Sequence, residues 1–515
     1  LEMQDQTKLI AFDSISAVLK KEKANGHKIV QCHGTFDLIH PGHIIHFEEA
    51  KALGDRLVVS ITAEKDVNKG PGRPFFNDSL RVKSLTALEC IDYVVVVPHP
   101  AAVEAIEAVR PDIYCKGKEY EDLENDVTGN MADDVSAVES VGGVLRYVGS
   151  VVFSSTRLLN SNFSTQTPDV KNFCKEVANQ HTPGQIRDII ESFSDLKVLV
   201  IGDIIFDEYE TVTVQGLTSK NRILSGRYLH EDRQAGGALA VFRHIQEFTK
   251  NVKLISLVGR EHWVDDTLSL YFKEDQDLVI RSKDFTTIRK RRMVEPLTEG
   301  AELNKLFSVN YIDDSPPSKK TEKAVIEQIE ANIEAFDLVL VMDFGHGIMT
   351  DTIRNLVQEK SKFLSVNCQT NSNNYGYNII SRQYDKADSF SLDESEIKLS
   401  CGVRQPQFEN ELKKLKDKFD ATYAWLTRGS VETIGMRRSE PSVSCPPFEH
   451  DVIDPVGAGD AFCAIASLAA AKGTSNLLAT YLGQMAGSQA VRIVGNAQAI
   501  DKVSFLKATQ TMINF

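Results

Sequence analysis

The stretch Lys28-Ile29-Val30-Gln31-Cys32-His33-Gly34-Thr35-Phe36-Asp37-Leu38-Ile39-His40-Pro41-Gly42-His43 decides how the first third of the chain reads. It opens as an apolar strand and breaks at Gly34. Pro41 suits the first turn of a helix, so His40 and His43 fall at that helix's N-terminal end. Two imidazoles three residues apart on one turn point the same way. By spacing alone such a pair is also an ordinary polar helix start. Backed by exposed helix N–H groups, however, it makes an anion site of the kind that chemistry at a phosphorus atom needs.

Outward from this stretch, short apolar runs alternate with helical patterns. Strand candidates are 28–34, 56–62, 92–98, 111–117 and 144–150, with helical segments at 43–54 and 80–90 between them. Strands that are apolar throughout, alternating with helices, predict a parallel sheet covered on both faces. Residues 161–185 are polar with two prolines, Pro168 and Pro183, and no strand-like run crosses them, which predicts a domain boundary. A second alternating pattern starts at 196–203 (LKVLVIGD) and continues through 252–259, 336–343, 362–367 and 422–429. The β-branched, charged stretches Glu208–Gln234 and Thr286–Tyr311 predict a small sheet projecting from this second core, and 316–323 (PPSKKTEK) reads as a solvated loop. The expected organisation is an extension over 1–27, a domain over 28–160, a linker over 161–195 and a domain over 196–515.

The chain has 515 residues, too many for one small module, and a net charge of −14. That charge argues against coating a nucleic acid or a membrane surface, both of which need a basic field. Eight cysteines are scattered without CxxC spacing, which is neither a disulfide framework nor a zinc site. No run approaches 18 apolar residues and the first residues carry no apolar targeting core, so a cytoplasmic protein is expected. Leu1-Glu2 before Met3 reads as an expression scar.

The string GTFDLIHPGH (34–43) resembles the HxGH nucleotidyltransferases, above all their cytidylyltransferase and heptose-phosphate adenylyltransferase branch. Phe153-Ser154-Ser155-Thr156-Arg157 is similar to that family's second signature, a hydroxyl-rich helix start followed by a cation. Lys69-Gly70-Pro71-Gly72-Arg73-Pro74, Arg81 on the next helix and Lys116-Gly117-Lys118 match further loops. The resemblance implies attack of a sugar phosphate or alcohol phosphate on the α-phosphorus of a nucleoside triphosphate, with pyrophosphate leaving and no covalent enzyme intermediate. It assigns His40, His43 and Lys69 to catalysis. It assigns Gly34, Thr35, Phe36, Arg73, Arg81, Ser154, Ser155, Thr156 and Arg157 to nucleotide and phosphate contacts, with Mg²⁺ bridging phosphates.

In the second half, Asp454-Pro455-Val456-Gly457-Ala458-Gly459-Asp460-Ala461-Phe462 precedes a helical apolar run. Small residues there let helix-start amides approach a phosphoryl group, and Asp460 can take a proton from an attacking hydroxyl. DPVGAGDAF resembles the PfkB/ribokinase carbohydrate kinases, for which the segment supplies an anion hole and a base. Gly202-Asp203 through Asp207, Gly236-Gly237, Asp343–Gly347 and Thr427-Arg428-Gly429 resemble other parts of that family in order. The resemblance implies nucleotide contacts at Thr427, Gly429, Gly457, Ala458 and Gly459, and sugar contacts at Asp203, Asp207, Gly236 and Gly237. It also implies a metal role for Glu396. Arg289-Lys290-Arg291-Arg292 would be a solvated charge run, or, with Lys290 and Arg292 on one strand face, a grip on a substrate phosphate. Three positions depart from the family: Ala240 and Asp393 stand where asparagine is usual, and Glu432 where glycine is.

The resemblance as a whole implies an α/β protein. A Rossmann-like parallel sheet of nucleotidyltransferase type is followed by a ribokinase-like α/β/α domain with a small β lid. The pair is similar to bifunctional heptose-phosphate kinase and heptose-1-phosphate adenylyltransferases, in reversed order. The expected activity is sugar phosphorylation with ATP and nucleotidyl transfer to a sugar 1-phosphate, giving an ADP-heptose-like precursor of lipopolysaccharide or capsule. Two alternatives stay open: CTP as nucleotidyl donor, giving a CDP-linked sugar or polyol, and a decayed kinase half serving as a binding or dimerising module. Expected partners are sugar phosphates and nucleoside triphosphates, no nucleic acid, no membrane, and a second copy of the chain.

Overall fold

The computed structural model describes residues 8–67, 73–118, 130–149, 166–273, 276–298, 302–313 and 315–514. They divide into two compact units, one from Leu1–Thr167 with Leu506–Phe515, the other from Pro168–Phe505.

The first unit is built on five strands: β1 (Ile29–Gly34), β2 (Arg56–Thr62), β3 (Tyr93–Val97), β4 (Ile113–Gly117) and β5 (Val144–Val148). All pair in parallel, in the order β3-β2-β1-β4-β5. Val30, Cys32, Val59 and Ile61 join one apolar cluster with Phe47 of the helix Pro41–Lys51, while Ile29, Val58 and Val95 join another with Ile15 and Leu19 of the helix Phe12–Ala24. Successive residues of one strand thus feed opposite layers, so these strands are apolar throughout. Because β1 lies between β2 and β4, the chain leaves the sheet in opposite directions there. The carboxyl ends of β1 and β4 frame the crevice that such a switch creates.

The second unit carries fourteen strands among its described residues. Eight form the main sheet: β6 (Val198–Gly202), β9 (Val252–Ile255), β14 (Leu338–Asp343), β15 (Leu364–Cys368), β16 (Ser389–Asp393), β17 (Tyr423–Thr427), β18 (Thr433–Arg437) and β19 (Val443–Cys445). Their order is β19-β18-β17-β16-β15-β14-β6-β9, parallel except at β17/β18 and β18/β19. Four more, β7 (Ile204–Leu217), β8 (Leu224–Gly237), β12 (Ile288–Val294) and β13 (Lys305–Tyr311), form the projecting sheet, ordered β13-β12-β7-β8. A short pair, β10 (Leu257–Val258) with β11 (Ile280–Arg281), completes the set. The α/β architecture with its small β lid is the one expected.

Two local readings are corrected. Within 161–195, the helices Pro168–Gln180 and Pro183–Ser192 belong to the second unit. The first buries Val170, Phe173, Cys174 and Val177, an i, i+3, i+4, i+7 stripe inside a polar composition. The run 316–323 is not all loop, because Ser318 caps a helix over Lys319–Asn332 by accepting from the Thr321 N–H at 3.3 Å. Among the described residues no helix is long and apolar enough to cross a membrane.

Arg81 shows what holds the first crevice in shape. It is 1% exposed, and its guanidinium donates to the carbonyls of Thr35 (2.7 Å) and Thr62 (2.9 Å) and to the Asp78 carboxylate (2.5 Å). It ties together the loops that leave β1 and β2. Arg81→Met would strand two buried carbonyls, so thermal unfolding should report a loss of about 3 kcal/mol. An unchanged Tm would show that the brace is dispensable.

Candidate active sites

At the β1/β4 switch, His40 is the N-cap of the helix Pro41–Lys51 and its Nδ1 accepts from the His43 N–H at 3.4 Å. The rings of His40 and His43 stack with centroids 3.9 Å apart and planes 17° from parallel, so both side chains point to one side of the helix start. Phe36, at φ +45°, packs edge-on against His43 and Phe47 and wedges beneath the pair. Gly34 leaves room for that ring, since a Cβ there would lie 3.2 Å from it. Burial lowers the pKa of His40 and favours a neutral imidazole.

Asp37, absent from the sequence-based set, organises the neighbouring loop. Its carboxylate accepts from the N–H groups of Phe75 (2.7 Å) and Phe76 (2.8 Å) and faces Arg73 at 3.4 Å. Arg73 is therefore a largely buried member of this loop, with its pKa lowered by burial. Thr35 lends its carbonyl to Arg81, and Arg81 itself is corrected from a phosphate contact to an internal brace, because three oxygen acceptors enclose it. Lys116, at the end of β4, pairs with Asp134 at 2.8 Å. Lys69, Ser154, Ser155, Thr156 and Arg157 lie outside the described residues.

The second site gathers at the carboxyl ends of β6, β14 and β15, under the lid. Gly457, at φ +88°, caps the helix Ala458–Ala471, and a Cβ on it would come within 2.4 Å of Asn496 Oδ1. Ala458 and Gly459 open that helix, with Asp460 in its first turn. Asp460 is buried and accepts from Gln369 Nε2 at 2.7 Å. Burial pushes its pKa up to about 7; the Gln369 donor opposes that rise, and Asp207 adds to it. A carboxyl balanced near neutrality can accept a proton from an alcohol as that alcohol attacks.

Asp207 pairs with Arg292 across β7 and β12, and Asn496 Nδ2 approaches its other oxygen at 3.5 Å. Gly236 is required here, since a Cβ would fall 2.3 Å from Asp207 Oδ2 and 3.0 Å from the Ile205 carbonyl. Gly237 (φ +59°) turns the chain into the helix Ala238–Gln246, where Ala240 is buried among apolar neighbours. Lys290 lies on the same strand face as Arg292. Burial lowers its pKa, while Asp207, Asp460 and Asp203 raise it. It closes no ion pair among the described residues, which leaves its ammonium available to a ligand.

Asp203 differs from its expected sugar contact. It is 1% exposed and accepts from the backbone N–H groups of Phe344 (3.0 Å), His346 (3.3 Å) and Ile348 (3.4 Å). It fastens the 343–347 turn to β6, and burial raises its pKa to about 7. Glu396 is likewise a structural residue. One of its oxygens accepts from Thr370 N (3.0 Å) and the other from Asp393 N (2.8 Å), in a reciprocal cap with Asp393. Asp393 fills the place of the usual asparagine as that helix's N-cap. Among the described residues no three His, Cys, Asp or Glu side chains converge as a metal site.

Thr427 ends β17, and Gly429 follows at φ +53° with open space at its Cβ. Glu432 is absorbed by Arg428, which bridges it (2.5 Å) and Glu394 (3.1 Å). Asp454 is also a buried hub, accepting from Lys305 (2.6 Å), Tyr209 (3.1 Å) and Gly495 N (2.9 Å).

Residues 32–161 match the cytidylyltransferase-like family and form a domain of that type. Curated relatives include the bifunctional protein HldE of Syntrophotalea carbinolica, 35% identical over 156 residues, covering 30% of this chain and 30% of that protein. HldE of Geobacter metallireducens is 36% identical over 151 residues, 29% of each. The chain thus spans about a third of the length of the relatives it matches. Solved structures similar to it include Escherichia coli phosphofructokinase-2 in complex with potassium (TM-score 0.49, 14% identity, 60% of this chain and 97% of that one). Arabidopsis thaliana ribokinase with ribose and ATP is another (TM-score 0.46, 15% identity, 62% and 99%).

The fit around Asp207 generates a stability test. Gly236→Ala should cost about 1–3 kcal/mol, because the carboxylate is pinned by Arg292 and cannot swing clear. Thermal unfolding checks it, and an unaltered Tm would show that Asp207 moves freely.

Proposed function

We propose that this chain is a two-site enzyme of nucleotide-activated sugar synthesis: one site phosphorylates a sugar, best a sugar phosphate such as heptose 7-phosphate, and the other links a sugar 1-phosphate to a nucleotide. The observation that carries the reading is Asp460, a carboxyl balanced near neutrality beside a positive-φ glycine helix start, with Lys290 and Arg292 on the lid strand above it.

In the kinase step the sugar hydroxyl forms a bond to the γ-phosphorus of ATP as the bond to the ADP oxygen breaks. Asp460 takes the hydroxyl proton, the amides at 457–459 meet the developing charge, and Lys290 with Arg292 grips the phosphate already on the acceptor. Thr427 and Gly429 border the nucleotide. In the transferase step an oxygen of the sugar 1-phosphate forms a bond to the α-phosphorus and pyrophosphate departs, with His40 and His43 donating to that phosphorus's oxygens. Asp37 and Arg81 hold the loops that place them. ATP enters with Mg²⁺ as the counter-ion of its phosphates, which neutralises charge there. The likeness to heptose-phosphate adenylyltransferases supports ATP as nucleotidyl donor and an ADP-linked product, while the helix-start anion site meets the phosphates that ATP and CTP share.

The proposed partner is a second copy of the chain, meeting through the lid. There Leu217 is 65% exposed and Phe307 56%. Sedimentation velocity should give at least a dimer; a species of 57.2 kDa alone would contradict this.

The activity is tested by incubating the chain with sugars and sugar phosphates and either ATP or CTP, with products read by mass. ADP formation that depends on acceptor, and falls at least about a thousandfold in Asp460→Asn, is expected. Pyrophosphate release should require ATP. ADP formation untouched in Asp460→Asn would reject the kinase chemistry, and release with CTP alone would reject the adenylyl product.

A further inference from the structure

The main sheet of the second unit has its own topological switch. β6 lies between β9 and β14, so connections depart in opposite directions on either side of it, and ligands of open α/β sheets enter at such a point. The chain leaving β14 there is Asp343-Phe344-Gly345-His346-Gly347, whose histidine enters no step described above.

His346 is completely buried, and its hydrogen bonds fix which ring nitrogen carries the proton. The clue is Asn371. Its Oδ1 accepts from the Asn373 N–H at 3.0 Å and its Nδ2 donates to the Phe344 carbonyl at 3.2 Å. A donor on one side and a carbonyl on the other leave the amide only one orientation. The same Nδ2 lies 3.3 Å from His346 Nε2, so Nε2 must be the acceptor.

Burial, with Lys290 nearby, lowers the imidazole's pKa to about 3, so the ring is neutral and has a single proton. That proton therefore sits on Nδ1. Nδ1 is buried and has no hydrogen-bond partner among the described residues. A buried, unpaired donor is costly, and it is conspicuous in a turn that is otherwise fully braced. Asn374 Nδ2 bonds the Phe344 carbonyl (2.7 Å), Asn378 Nδ2 the Asp343 carbonyl (3.1 Å), and the His346 N–H reaches Asp203. A Cβ on Gly345 would lie 2.5 Å from Asn374 Nδ2, so the turn packs directly against that amide.

The loop that locks this tautomer starts at Gln369, the residue that holds Asp460, and Asn373 on it meets Asn310 of lid strand β13 at 3.3 Å. The unpaired donor therefore belongs to the same group of elements as the base and the lid. A neutral N–H beside a lysine suits an uncharged oxygen, since the cations of β12 already serve the phosphate.

We propose that His346 Nδ1–H reads a hydroxyl oxygen of the acceptor sugar, which makes His346 a specificity-determining residue of the kinase site, positioned by Asn371. This rests on the kinase reading above.

The test uses the full chain with mannose 6-phosphate, fructose 6-phosphate and D-glycero-D-manno-heptose 7-phosphate as acceptors, plus monodeoxy analogues of the best one. His346→Phe should raise the acceptor KM at least about tenfold and change the KM for ATP less than about twofold. His346→Asn, which can place an amide donor near the Nδ1 position, should recover most of the loss. One monodeoxy analogue should lose as much with the natural protein as His346→Phe loses with the parent sugar, and lose nothing more when the two are combined. In the ¹⁵N-histidine spectrum, the Nδ1–H tautomer should be present, should shift on adding acceptor without nucleotide, and should be lost in Asn371→Leu. An unchanged acceptor KM in His346→Phe, or a ring signal blind to acceptor, would overturn the inference and assign the donor to an internal water. Absence of acceptor-dependent ADP formation by the natural protein would instead overturn the kinase reading, and this inference with it.

Discussion

The second unit depends on how one carboxyl, Asp460, is kept near its point of half-ionisation inside a buried helix start. Burial drives it towards the neutral acid, and the Gln369 amide donor, with the Lys290 ammonium behind it, pulls it back. Neither effect would suffice alone. A fully solvated aspartate is too weak a base for an alcohol, and a fully desolvated one would hold its proton. Gln369 is in turn placed by the loop at the end of β15, whose carbonyl Asn378 grips at 3.1 Å. The sheet, the loop and the helix start thus converge on one proton.

The same logic runs through both units on different scaffolds. Each sheet has a strand from which connections leave in opposite directions, and each candidate site lies outside the carboxyl ends at that strand. Polar groups there are held by buried cross-links: Arg81 and Asp37 in the first unit, Asp203 and Asp454 in the second. These residues are ionisable yet face inward, because backbone groups or an opposite charge meet their side chains.

Much of this was legible in the sequence. Strand–helix alternation with uninterrupted apolar strands specified one parallel sheet and the parallel body of a second, and HPGH and GAGD marked both helix starts because their chemistry is local. What stayed hidden was non-local. Arg81 reads as a phosphate ligand until positions 35 and 62 are seen to fold around it. Asp203 and Glu396 read as ligands until their oxygens are found on backbone N–H groups. Gln369, Asn371 and Asn496 belong to no spaced pattern, and only the fold brings them to Asp460, His346 and Asp207. The helix Pro168–Gln180 escaped notice because four buried side chains are diluted among polar ones.

The account is tested most directly by the pH dependence of kcat/KM for acceptor-dependent ADP formation in the natural protein and in Gln369→Leu. Asp460 must be ionised to act, so activity should fall on the acid side with an apparent pKa near 7. Removing the donor that favours the ionised form should move that limb to higher pH. A limb in the ordinary carboxylate range, or one that stays in place when Gln369 is replaced, would contradict it.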